Sequence, residues 1–208
     1  MGRGVKEVFK GMKVLRYLKA FIAEFWKWFE YIINNTPGGI GLRLRDHYWS
    51  WRLSCSGLFF MPGIKISGRR NIFLKGDIFL GYGCHLAVDN GMLTIGRGTS
   101  MNDNAMLCAG GGEIHIGDNV LIGPNVVIRS SNHRYGSNKL TIKQQGHEEG
   151  KIVIEDNVWI GANAVILPNV RIGSGSVIGA GAVVTRDIPQ ECLAVGVPAK
   201  VKKTNIGK

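Results

Sequence analysis

Five histidines and four cysteines are the side chains of this 208-residue chain with the widest range of chemistry. An imidazole titrates near neutrality, so a histidine can take a proton from a hydroxyl and return it within one cycle. His47, His85 and His115 show no ligand-like spacing, and Cys55, Cys84, Cys108 and Cys192 show no Cys-x-x-Cys or other close spacing. Neither zinc nor a disulfide framework is expected, and the cysteines read as reduced, mostly packed thiols. His133 and His147 stand apart, because both lie in the polar segment from Arg129 to Gly150. A loop on a rigid scaffold is where function concentrates, so the question becomes what scaffold holds this one.

The scaffold announces itself by a period of six. Ile154, Ile160, Ile166, Ile172, Ile178 and Val184 fall at strict six-residue intervals, and Ile116, Ile122 and Ile128 keep the same beat earlier. This period fits neither a helix nor a hairpin sheet, but it fits a solenoid with one short strand on each side and a small residue at each corner. Thirty glycines, roughly twice the usual ~7% share, mostly follow aliphatic residues and read as corners. Between Ile128 and Ile154 the segment 129–150 is too long for a corner and must project. From about Ile64 to Ile114 the apolar clusters read as less regular turns of the same solenoid. The residue before each beat points outward if the beat points inward. Those residues are Leu121, Val127, Val153, Trp159, Val165, Arg171, Val177 and Val183, all apolar except Arg171. Such a surface implies burial against neighbouring subunits.

Residues from about Val5 to Ile33 read as one amphipathic helix, with Val5, Phe9, Met12, Leu15, Ile22, Phe25, Phe29 and Ile32 at three- and four-residue steps and Lys6, Lys10, Lys13 and Lys27 elsewhere. Pro37-Gly38-Gly39 is expected to end it. The formal charge of +11 concentrates here: Met1 to Ser54 holds ten basic and four acidic residues, a net of +6. No uncharged run approaches the ~20 residues that span a bilayer. A basic, aromatic helix of this kind either lies on an anionic membrane surface or packs its apolar face on the solenoid or a neighbour. The chain lacks a secretory signal pattern, which points to the cytoplasm, with peripheral placement on the inner face of the cytoplasmic membrane if the helix binds lipid. A nucleic-acid partner is not expected, since no recognised motif accompanies the charge. The expected divisions are 1–54 helical, 55–190 solenoid with loop 129–150, and 191–208 as tail; the helix and the tail after Pro189 are the natural end caps.

Several runs are specific enough to carry a resemblance: Ile116 to Asn125, the loop opening Ser131-Asn132-His133, Asn157 to Asn163, Ile178 to Pro189, and the closing Gly196-Val197-Pro198-Ala199-Lys200-Val201. Together they resemble the hexapeptide-repeat acyltransferases, nearest the sugar O-acetyltransferases of the maltose, galactoside and surface-polysaccharide type, over residues 64–203. The resemblance implies an all-β solenoid, a left-handed parallel β-helix, usually trimeric, with acetyl-CoA as co-substrate between subunits. The left hand comes from the resemblance alone, because left-handed crossovers are the exception.

The resemblance also implies roles. His133 matches the catalytic histidine, acting as base on a sugar hydroxyl; a solvated loop histidine is the alternative. Glu148 is the loop carboxylate that would orient it, and His147 would face the acceptor or serve only structure. Asn102 and Asn104, in Asn102-Asp103-Asn104, match an acceptor-contacting stretch and are equally ordinary corner residues. Trp159, Ala162, Ala180, Thr185, Arg186 and Lys203 match the donor groove, small residues opening the backbone to pantetheine and basic ones suiting phosphates. The implied acceptor is a sugar in surface-polysaccharide or lipopolysaccharide assembly, and a helix lying on a membrane would favour a lipid-linked glycan. An N-acetyltransferase of a nucleotide-linked amino sugar and a non-catalytic scaffold are the alternatives.

Overall fold

The six-residue beat builds a parallel β-solenoid of about six turns behind two helices. The computed structural model describes residues 3–207, with side chains from Leu15 onward. Face A stacks eight strands from Leu58–Phe60 to the closing Lys200–Thr204, face B six from Lys65–Ser67 to Val183–Val184, and face C five from Ile72–Leu74 to Arg171–Ile172. The chain visits the faces in turn, and successive coils pair in parallel. From Ile154 to Val184 every beat residue is at most 1% exposed. The residues before them point out, Leu121, Trp159 and Arg171 fully and the valines half-buried, as alternation along a strand requires.

The beat in fact extends back to Phe60. Phe60 and Ile66, then Leu74, Leu80 and Leu86, then Ile95, Met101 and Leu107, then Ile116, Ile122 and Ile128 each step by six. What breaks it is the edge between faces B and C, where the steps are eight from Ile66 to Leu74, nine from Leu86 to Ile95, nine from Leu107 to Ile116 and 26 from Ile128 to Ile154. All insertions thus fall on one edge, the largest being the projecting loop. The early irregularity is displaced phase and not weaker repetition.

The N-terminal segment departs from expectation. Helix α1, Arg3–Asn35, ends ahead of Pro37-Gly38-Gly39 as expected, but a second helix, α2, Gly38–Leu53, follows at once. Glycine at 38, 39 and 41 disfavours a helix locally, and tertiary packing overrides that preference. Gly41 abuts the Thr36 carbonyl and leaves no room for a Cβ. It is α2 that caps the solenoid, burying Tyr48, Trp49 and Leu53, with the Trp49 ring 6.3 Å from Phe60. Arg45 is the clamp. Only 1% exposed, its Nε donates to the Phe60 carbonyl at 2.6 Å and its Nη1 to those of Thr36 and Ile33 at 2.6 and 3.3 Å. Trp49 Nε1 donates to Asn34 Oδ1 at 2.9 Å. Burial, then a hydrogen bond donated to Glu30, pushes the Tyr48 hydroxyl up to about 12.

Along α1, by contrast, only Ile33 and Asn34 are buried among residues 15–35, so the helix does not lay an apolar face on its own solenoid. The side chains of Val5, Lys6, Phe9, Lys10, Met12 and Lys13 lie outside the described residues. At the other end Lys200–Thr204 runs antiparallel to Cys192–Val195 and closes face A. Among the described residues, no helix is long and apolar enough to cross a membrane.

Candidate functional site

The projecting loop is folded. Ser131–His133 and His147–Glu149 pair antiparallel, and α3, Ile142–Gln145, sits at the far end. Thr141 and Gln144 form a reciprocal capping box, while Gln145 accepts from the Ser137 amide at 2.9 Å and donates to the Ser137 and Leu140 carbonyls. The two strands therefore leave the solenoid edge in a defined register. That register sets His133 opposite His147, with ring centroids 4.1 Å apart and planes inclined by 38°. Both imidazoles are solvent-exposed in the single chain.

Period-two alternation sorts the ribbon into two faces. Ser131, His133, His147 and Glu149 share one; Asn132 and Glu148 share the other. Glu148 thus points away from His133, and the expectation that it orients the imidazole is corrected. The carboxylate on the histidine face is Glu149, which lies over Gly111, a residue at φ +93° with no space for a Cβ. His147 as the stacking partner and Glu149 as the same-face carboxylate were not recognised in sequence, because a shift of one residue exchanges faces and only the folded loop fixes register.

The other candidates distribute over two edges of the prism. Trp159, 54% exposed, stands on face A between Leu121 and Val177, and Lys203 sits opposite Leu193 on the same face. Ala162 and Ala180 occupy the A–B corners of the fifth and sixth coils, whereas Thr185 and Arg186 occupy the B–C corner, on the edge from which His133 projects. One hexad separates these edges, about 20 Å at ~3.3 Å per residue. A single protomer does not bring all six donor candidates to His133.

Asn102, Asp103 and Asn104 form the A–B corner of the third coil. The Asn102 amide donates to the Ile122 carbonyl at 3.3 Å, Asp103 accepts from the Tyr82 amide at 2.9 Å, and Asn104 adopts φ 58°. Asn119, Asn125, Asn157, Asn163 and Asn169 take the same left-handed conformation, which asparagine tolerates. Corner formation accounts for these side chains, and their exposed position leaves them open to solvent.

His115 and Cys84 are engaged elsewhere. On face C the Thr94 hydroxyl lies 3.0 Å from His115 Nδ1, and His115 Nε2 lies 2.9 Å from Glu113, which also pairs with Lys151 at 3.0 Å. The hydrogen bond to His115, then Lys151, holds the Glu113 carboxylate below its usual range. Burial pushes the Cys84 thiol up to about 11, away from nucleophilic use. Among the described residues, no three His, Cys, Asp or Glu side chains converge as a metal site.

The family described as "Bacterial transferase hexapeptide (six repeats)" matches residues 151–186, and "Hexapeptide repeat of succinyl-transferase" matches residues 113–130. A galactoside O-acetyltransferase of Escherichia coli is 37% identical over 136 residues, covering 63% of this chain and 60% of that protein. The crystal structure of a maltose O-acetyltransferase from Clostridium difficile superposes with a TM-score of 0.58 at 30% identity, over 87% of this chain and 84% of that one. A hexapeptide-repeat acetyltransferase from Vibrio cholerae, solved with acetyl-CoA, superposes with a TM-score of 0.60 at 26% identity, over 83% and 81%. The chain belongs to the hexapeptide-repeat acyltransferases. It spans between 41% and 60% of the length of the first curated relatives it matches.

Proposed function

We propose that this protein transfers an acetyl group from acetyl-CoA to a hydroxyl of a sugar, with His133 as general base. The observation that carries this reading is the position of His133, on a register-fixed ribbon at the edge that also presents Thr185 and Arg186. In the reaction His133 takes the hydroxyl proton as the oxygen attacks the thioester carbonyl; a C–O bond forms, the C–S bond breaks, and the imidazolium returns the proton to the departing thiolate. The relatives' names favour a sugar acceptor, and the complex of the Vibrio cholerae protein favours acetyl-CoA as donor.

If the donor candidates and His133 serve one site, the A–B edge of one subunit lies against the B–C edge of the next. A threefold arrangement with face B toward the axis satisfies this. From the third coil onward face B supports it with an apolar outward column, Met106, Val127, Val165 and Val183, after Lys65 and His85 in the first two coils, whereas on face C the column from the third coil onward reads His115, Val153 and Arg171. Exposed Tyr135, Leu140 and Ile142 on the loop suit a neighbouring subunit.

The exposed stripe Phe21, Phe25, Trp28 and Ile32 of α1 favours a cytoplasmic protein resting on an anionic membrane surface, and with it a lipid-linked glycan acceptor. The acceptor chemistry is tested by offering sugars and amino sugars with labelled acetyl-CoA. An alkali-labile ester product is expected; an alkali-stable amide would make the protein an N-acetyltransferase.

A further inference from the structure

A cleft of about 540 Å³ separates α1 from the first coil, far along the solenoid from the fifth and sixth coils that carry the donor candidates. Its walls present four cations, Lys27, Arg52, Lys65 and Arg69, and one carboxylate, Glu30; just outside, Glu24 holds Lys27 at 2.7 Å. The Arg52 guanidinium is incompletely used. Its Nη2 reaches Glu30 only at 3.5 Å, and that Glu30 oxygen already accepts from Tyr48 at 2.8 Å. Arg52 Nε is buried with no protein acceptor. The Arg52 side chain, 17% exposed, lines the cleft, so an oxygen arriving there would meet a guanidinium already largely desolvated. Trp26 and Tyr31, 41% and 62% exposed, supply aromatic surface on the same wall.

Which way the cleft faces limits its occupant. Ala23, Trp26, Lys27, Glu30, Tyr31 and Asn34 recur at three- and four-residue steps and form one side of α1. Phe21, Phe25, Trp28 and Ile32 recur in the same way, but each lies two residues, about 200°, from a cleft residue and so on the opposite side. A helix resting on a bilayer by that stripe would hold the cleft toward water.

We propose that the cleft binds a soluble diphosphate ester bearing a ring, the chemistry of nucleoside diphosphates. The phosphate oxygens meet Arg52, Arg69 and Lys65, and the ring lies against Trp26 or Tyr31. Basic side chains recognise phosphate by charge-assisted hydrogen bonds, and the volume falls in the small-molecule range. This inference does not depend on the acyl-transfer reading.

The test is titration of the full chain with inorganic pyrophosphate and then with ADP and UDP, monitored by calorimetry. Saturable pyrophosphate binding is expected, tighter for the nucleotides. Arg69→Gln and Lys65→Gln, both at exposed positions, should each weaken it about tenfold, the loss of one charge-assisted hydrogen bond. Trp26→Leu should remove the nucleotide's advantage, while Arg43→Gln, outside the cleft, should change nothing. Ala180→Trp, which obstructs the donor groove, should leave binding intact and thereby separate this cleft from acetyl-CoA's own diphosphate. No saturable binding, or equal binding by the Arg69 and Lys65 variants, overturns the proposal. So does loss with Ala180→Trp, or an equal fall in the variants' partition to phosphatidylglycerol-containing vesicles, which would make a lipid headgroup the occupant.

Discussion

The solenoid and helix α1 stabilise themselves in opposite ways. Within the solenoid every beat residue from Leu80 to Val184 is buried by the coils above and below, so the repeat encloses its own core. Between residues 15 and 32 no side chain of α1 is fully buried, and Phe21, Phe25 and Trp28 are 70%, 56% and 65% exposed. A contiguous apolar surface of that kind marks a docking face. The contrast teaches that the repeat specifies a fold by itself, while the helix becomes intelligible only with an external surface.

Arg45 is where the two regions meet, so its removal gives the largest expected effect on the comparison. Arg45→Met leaves the Phe60, Thr36 and Ile33 carbonyls without their shared donor and should cost about 2–4 kcal/mol. Hydrogen exchange should show α1 and α2 opening while coils four to six stay protected. Equal loss of protection throughout would mean that helices and solenoid form one cooperative unit. A smaller effect sharpens the other side. Phe25→Ser with Trp28→Ser removes exposed surface only, so stability should change by no more than about 0.5 kcal/mol. Partition to anionic vesicles should nevertheless collapse, and binding equal to the parent's would send α1 to a protein partner instead.

Much of this was legible in residue order. Ile154 to Val184 announce coils with no insertions, and the outward positions beside them followed from alternation alone. The earlier coils were harder because extra residues at one edge, as at Ile66 to Leu74 and Leu86 to Ile95, shift the phase without breaking it. Helix α2 was missed because Gly38, Gly39 and Gly41 oppose a helix locally and only the packing of Tyr48, Trp49 and Leu53 on the first coil repays them. The position of His133 on the loop was readable. Its neighbours were not, since which of Glu148 and Glu149 shares its face depends on the register of the folded ribbon.

The central claim is that the loop edge carries the base while the later coils carry the donor. It is tested by measuring thermal stability against acetyl-CoA concentration, together with acetyl transfer, for the parent and His133→Ala. Both proteins should be stabilised equally, by about 2.7 kcal/mol at a hundredfold excess over Kd, while transfer falls about 10²- to 10⁴-fold only in the variant. Transfer undiminished in His133→Ala, or no stabilisation of either protein, would contradict the account.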